Sequence, residues 1–225
     1  MRTAALFILA GALLIGCPKE ESTQKTAEGE KSPTPAQAAA EEAPDKDDAS
    51  TGNYTVELDT TKGAIVIDVY GAWAPQGAAR FRELVETGYF TDVAFFRVIS
   101  GFMAQAGISG DPNLNATWRK KSIPDDPVKA SNTRGTVTFA TSGPDSRTTQ
   151  FFINFGNNAR LDGMGFSPFG KVKDMAPVDA LYDGYGEGAP QGRGPAQGLL
   201  QTRGNEYLRE SFPKLDYIKS ARIIE

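Results

Sequence analysis

The side chains able to do chemistry in this 225-residue chain form a short inventory, because it contains no histidine and one cysteine, Cys17. Ser-His-Asp and Cys-His catalysis, histidine-ligated zinc and an intrachain disulfide are thereby excluded. No nucleophile has an evident activating partner, so hydrolysis has no support, and neither a metal nor an organic cofactor is expected. What remains is arginine, carboxylates, amides, hydroxyls and backbone groups, which bind and polarise without forming a covalent intermediate. Arg97 and Gln105 stand in the run Phe95-Phe96-Arg97-Val98-Ile99-Ser100-Gly101-Phe102-Met103-Ala104-Gln105-Ala106-Gly107, and Gln150 precedes Phe151-Phe152-Ile153-Asn154. Taken alone, Arg97 reads as a solvent-facing charge on an alternating strand and Gln105 as a surface amide. Phe102, Met103 and Phe152 read as ordinary barrel core.

The elements that must position these residues begin at Tyr54. Val56 and Leu58, then Ile65, Ile67 and Val69, alternate around a Lys62-Gly63 turn signal and predict a hairpin. Pro75 opens a stretch with Ala79, Phe81, Leu84 and Val85 at helical spacing, closed by Gly88, which predicts an amphipathic helix over 75–87. Short strands follow at 94–99, 102–106, 136–140, 150–154 and 168–172, with helices around 175–182 and 204–211 and a last strand at 216–224. Many short strands and few helices predict a mainly β fold, a closed antiparallel barrel with helices on its ends.

Residues 1–16 combine Arg2 with an apolar run from Ala4 to Leu14. That run is too short for a membrane-spanning helix, which needs about 20 residues, and it fits a signal peptide. Leu14-Ile15-Gly16-Cys17 resembles the bacterial lipobox, which implies cleavage before Cys17 and lipid attachment to it. More than one acyl chain would hold the protein stably on a membrane. Residues 18–53 set four lysines against nine acids among Ala, Pro, Ser and Thr. Such a segment cannot bury enough apolar area to offset its chain entropy and is expected to be a disordered acidic tether, with the lipidated cysteine occupying 17–53 overall. The chain carries a formal charge of −4, which leaves 54–225 close to neutral. A nucleic-acid binder, which must neutralise phosphates, is excluded on that balance.

The run from Phe95 to Gly107 resembles the strand pair of cyclophilin-type peptidyl-prolyl cis-trans isomerases, with its F-x-R-[VI]-[IV]-x-G-F-M-x-Q-x-G pattern. Gly135-Thr136-Val137-Thr138-Phe139-Ala140, Gln150 to Asn154, Leu161-Asp162-Gly163 and Phe169-Gly170-Lys171-Val172 follow in the family's order. The likeness covers nearly all of 54–225, and the stretch 184–213 resembles a longer C-terminal variation of bacterial members. The family's fold is a closed eight-stranded antiparallel barrel capped by helices. Its reaction rotates an Xaa-Pro bond over a barrier of about 20 kcal/mol, with no bond broken and no acid or base required. The resemblance makes Arg97 the catalytic donor to the prolyl nitrogen. It assigns the proline pocket to Phe102, Met103, Phe152 and Leu161, and the adjoining peptide contacts to Gln105, Ala140, Gln150 and the backbone at Thr141.

Several positions depart from the family's pattern. A histidine common after Leu-Asp-Gly is missing from Met164-Gly165-Phe166-Ser167-Pro168, and Phe166 is expected to close that side instead. Arg160 stands where cyclosporin-sensitive members often carry tryptophan, which implies weak cyclosporin binding. Phe96 stands where histidine is common. Expected partners are unfolded or flexible proline-containing polypeptides, and a near-neutral domain on a tether is expected to be a monomer. The expected location is the cell envelope: the outer membrane facing the periplasm if the organism has one, otherwise the outer face of the plasma membrane. Two other readings use the same fold: a tethered, non-catalytic chaperone module that holds proline-containing segments, and a structural envelope component. Arg97, Phe102 and Gln105 argue against both.

Overall fold

A computed structural model describes residues 52–224. The signal peptide, Cys17 and nearly all of the tether lie outside the described residues. The first hairpin pairs β1 (Tyr54–Thr60) with β2 (Gly63–Val69), and its alternation buries Val56, Leu58, Ile65 and Ile67. Thr61 and Lys62 form the connection, while Gly63 opens β2 at φ +106°, a conformation that disfavours any side chain. The Thr60 hydroxyl donates to the Gly63 carbonyl at 2.6 Å and closes the turn.

Helix α1 (Pro75–Glu86) starts with proline at its first turn but has no side-chain cap of its own. The buried Asp126 supplies one from a distant loop, accepting from the amides of Gln76 at 3.1 Å and Gly77 at 2.8 Å. Those amides would otherwise lack partners, and a carboxylate also complements the positive end of the helix. Phe81 then projects from α1 into an aromatic cluster, its ring centroid 5.4 Å from Phe90, 5.5 Å from Phe151 and 4.9 Å from Phe169.

The remaining strands are β3 (Val93–Ala94), β4 (Arg97–Ile99), β5 (Met103–Ala106), β6 (Thr136–Phe139), β7 (Phe151–Asn154), β8 (Pro168–Val172) and β9 (Tyr217–Ile223). They join the hairpin in one curled antiparallel sheet of nine strands ordered β3-β9-β1-β2-β8-β6-β7-β5-β4. The expected closed eight-stranded barrel is corrected here, because the sheet is an open half-barrel. The predicted strand at 94–99 divides into two short pieces around Phe95 and Phe96. The first pairs only with β9, and the Phe95 amide continues that side by donating to the Asp216 carbonyl at 2.9 Å. The second pairs with β5, and its outer edge meets Gly186 through an isolated bridge at Val98. No ladder joins β3 to β4 among the described residues.

Three further helices are α2 (Pro112–Trp118), α3 (Ala176–Asp179) and α4 (Gln197–Ser211). Asp111 caps α2 by accepting from the Asn113 amide at 2.8 Å. Helix α4 begins seven residues before the predicted 204. It bends at Gly204, whose φ of +59° is left-handed and whose hypothetical Cβ would lie 2.0 Å from the Gly110 carbonyl oxygen. Leu200, Tyr207 and Leu208 of α4 bury Phe96, Ala94 and Ile108 in a second apolar cluster. Phe96 is therefore a packing residue in this chain.

Candidate active site

Register explains how the predicted residues come together. Arg97 on β4 lies opposite Gln105 on β5, Gln105 lies opposite Phe152 on β7, and Phe152 lies opposite Thr138 on β6. Directly opposed residues in antiparallel strands point to the same face, so one row carries a guanidinium, an amide and an aromatic ring side by side. On β5 and β7 the alternate positions, Ala104, Ala106, Phe151 and Ile153, point to the main core. Met103 and Phe152 instead join Leu161 in a third cluster, flanked by Ile99, Phe102, Ala140 and Phe166.

That third cluster floors a groove of about 230 Å³ lined by Arg97, Phe102, Met103, Gln105, Ala140, Thr141, Phe152, Leu161, Phe166 and Gln197. Nine of the ten residues singled out in 54–225 thus meet in one cleft. The tenth, Gln150, stands beside it and accepts from the Gln105 amide nitrogen at 2.9 Å. This contact turns the Gln105 oxygen toward Arg97, whose Nη1 donates to it at 3.0 Å. Leu161 is delivered by a short 3-10 helix, Ala159–Met164. Asp162 on the same turn accepts from the Ser131 hydroxyl and from the Asn132 amide and side chain, anchoring that wall. Phe166 packs edge-on against Phe152, with ring centroids 5.7 Å apart. The Arg160 guanidinium lies over the Phe102 ring at 4.8 Å, a cation on an aromatic face. The Thr141 hydroxyl is engaged with Ser146 and the Gly143 carbonyl, which fixes the turn after Ala140.

Two residues at the groove were not anticipated. Gln197 enters from the first turn of α4, which lies ahead of the helix predicted around 204–211. Glu187 arrives from the glycine-rich segment along the edge of β4 and meets Arg97 in a two-pronged ion pair, with Nε to Oε1 and Nη2 to Oε2 both 2.6 Å. Hydrogen bonding from Arg97 holds the Glu187 carboxyl below the usual carboxylate range, outweighing the upward push of partial burial. The available signal was an acid flanked by glycines, Gly186-Glu187-Gly188, in a glycine-rich loop.

The cleft joins a fixed cationic donor to an apolar floor, with peptide-binding polar groups on one flank, and so suits a peptide whose bond is to be polarised rather than cut. Residues 55–191 match the family model described as cyclophilin type peptidyl-prolyl cis-trans isomerase/CLD. The chain is 38% identical over 136 residues to a peptidyl-prolyl cis-trans isomerase of Acinetobacter baylyi, covering 57% of this chain and 72% of that one. It is 38% identical over 141 residues to peptidyl-prolyl cis-trans isomerase A of Dickeya dadantii, covering 59% and 73%. A crystal structure of a Cryptosporidium parvum cyclophilin-type isomerase superposes with a TM-score of 0.55 at 19% identity, over 77% of this chain and 98% of that one, a likeness of fold. The chain belongs to the cyclophilin-type peptidyl-prolyl cis-trans isomerase family. Its reaction is the isomerisation of Xaa-Pro bonds in proline-containing peptides.

Proposed function

We propose that this protein is a lipid-anchored isomerase, held through Cys17, that accelerates Xaa-Pro isomerisation during folding of cell-envelope proteins. It works as a monomer on an acidic tether, facing the periplasm from the outer membrane where the organism has one. Arg97 is the catalytic residue. As the peptide bond twists, the prolyl nitrogen regains its lone pair, and an N–H from a permanently charged guanidinium stabilises that state more than the planar ground state. The proline ring occupies the floor formed by Phe102, Met103, Phe152 and Leu161, with Phe166 closing the side. Gln105, backed by Gln150, and the Ala140-Thr141 backbone hold the flanking peptide groups.

The observation that supports these roles most directly is the in-register row of Arg97, Gln105 and Phe152, which sets the donor beside an apolar floor on adjacent strands. The lipobox-like Leu14-Ile15-Gly16-Cys17 supports the anchor. One experiment tests both parts: wild type, Cys17→Ala and Arg97→Ala are expressed as the full chain, and the membrane fraction is assayed for Xaa-Pro peptide relaxation without a coupled protease. Isomerase activity is expected to sediment with membranes in the wild type and to become soluble with Cys17→Ala. With Arg97→Ala the protein should sediment and lose most, but not all, of its activity. Soluble wild-type activity would refute the anchor, and full activity in Arg97→Ala would refute the assigned donor.

A further inference from the structure

The side chain of Glu187 has no role in the reaction as derived so far, yet it makes two close polar contacts to the catalytic guanidinium. We propose that Glu187 is the positioning residue for Arg97, locking the guanidinium side-on so that its Nη1 edge faces the proline floor. The inference rests on the reading of Arg97 as the donor to the prolyl nitrogen. A guanidinium carries five N–H donors on a long, rotatable stem, and only one orientation aims a donor at a given point. Glu187 takes the Nε and Nη2 side with two contacts of 2.6 Å. Gln105 Oε1 accepts from Nη1 at 3.0 Å, and the other acceptor near Nη1 is the thioether of Met103 at 3.7 Å. Sulfur of that kind accepts weakly. The Nη1 donor directed over Met103 therefore has only a weak acceptor, and a prolyl nitrogen above the floor can take it at little cost.

The segment carrying Glu187 is built to hold this carboxylate still. The Gly188 amide donates to Glu187 Oε1 at 2.8 Å, and the Glu187 carbonyl accepts from the Gly194 amide at 2.8 Å. The preceding residue, Gly186, bridges to Val98 on the strand that bears Arg97. The return of the loop passes so near that a Cβ on Gly192 would lie 2.2 Å from the Glu187 carbonyl oxygen. A glycine-rich crossing along the edge of β4 thus brings one fixed anion against the back of the catalytic cation. Because the pair engages the Nε side and leaves Nη1 toward the groove, it orients the donor without occupying the substrate's place.

The test uses the full chain and a protease-free exchange measurement on an Xaa-Pro peptide, which separates kcat from KM. Glu187→Gln keeps the side chain's shape, and the half-exposed site predicts a melting temperature within about 3 °C of wild type. The expected result is a fall in kcat of about tenfold or more with KM changed by less than about threefold, because misdirection of a catalytic group acts on the transition state. On the Arg97→Ala background the same substitution should change nothing further, whereas a role confined to loop stability would lower activity on both backgrounds. Independently of activity, the Arg97 Nε–H resonance in 15N NMR should be sharp and exchange-protected in the wild type and lost to exchange in Glu187→Gln. That reading stands or falls separately from the isomerase assignment. Unchanged kcat, or a kcat that rises because the carboxylate had been competing with substrate, would overturn the proposal, as would an unprotected wild-type resonance.

Discussion

At Asp162, beside the Leu161 wall of the groove, burial pushes the carboxyl up, and hydrogen bonds from Ser131 and Asn132 outweigh it and hold the group below its ordinary 3.8. A carboxylate whose pKa is depressed by folding contributes stability that is complete above the unfolded value and is lost as pH falls through the folded one. Hydrogen bonds to a charged group contribute about 1.5–3 kcal/mol, so Asp162→Ala is expected to destabilise by that order at pH 6. The deficit should shrink below about pH 3.8 toward the part owed to packing and neutral hydrogen bonds as Asp162 is protonated, a trend that urea titrations at pH 6, 4 and 3 would measure. A deficit equal at all three pH values would show that the lost packing, and not the charge, mattered. Isomerase activity should fall as well, because the wall carrying Leu161 is tied to the Asn132 loop only through this side chain and the contacts Asn158 and Asn132 make beside it.

Among the elements, α1 shows most plainly why part of the fold was readable and part was not. Its apolar spacing and Pro75 predicted its extent almost to the residue, but its cap, Asp126, lies 49 positions from Gly77 in a loop with no periodic signal. Removing that cap with Asp126→Ala should cost about 2 kcal/mol in urea unfolding, near the upper end of capping and helix-dipole effects because the site is buried. Asp126→Asn should recover part of the loss, since it still accepts one hydrogen bond. The row Arg97, Gln105, Phe152 was legible for the opposite reason: strand alternation and the spacing within Phe95–Gly107 are local, and they place the donor and the floor on one face. Helix α2 was missed although Asp111-Pro112 is a good start signal, because Asn113, Asn115 and Thr117 are weak helix formers in a seven-residue element. The first half of α4 was missed because Gly198 and Gly204 interrupt the pattern, and only the packing of Gly204 onto Gly110 shows why glycine is needed there. Glu187 was illegible for a related reason. Its partner lies 90 residues away, and nothing local to a glycine-rich loop states which side chain it will approach.

Across the whole molecule, the absence of histidine becomes a statement about pH once the cleft's charges are placed. The charged groups around the groove floor are Arg97 and Glu187, with Arg160 over Phe102 at the rim, and no histidine stands among them. Glu187 is held below its ordinary 4.5 by hydrogen bonding from Arg97, so it is ionised throughout the range in which the protein would work. A depressed carboxyl keeps its charge as pH falls until the folded pKa is reached. The Arg97–Glu187 pair, and the donor orientation proposed to depend on it, should therefore persist from alkaline conditions down to below pH 4.5. We expect kcat/KM for a non-ionisable Xaa-Pro peptide to be flat between about pH 5.5 and 9, since the reaction moves no proton and the site carries no histidine. Below pH 4.5 activity should decline as Glu187 is protonated, and in Glu187→Gln the low level should be independent of pH across the same span. A bell-shaped profile centred near neutrality would mean that a titrating group takes part in the reaction, and with no histidine in the chain it would have to be a strongly perturbed carboxyl, tyrosine or lysine.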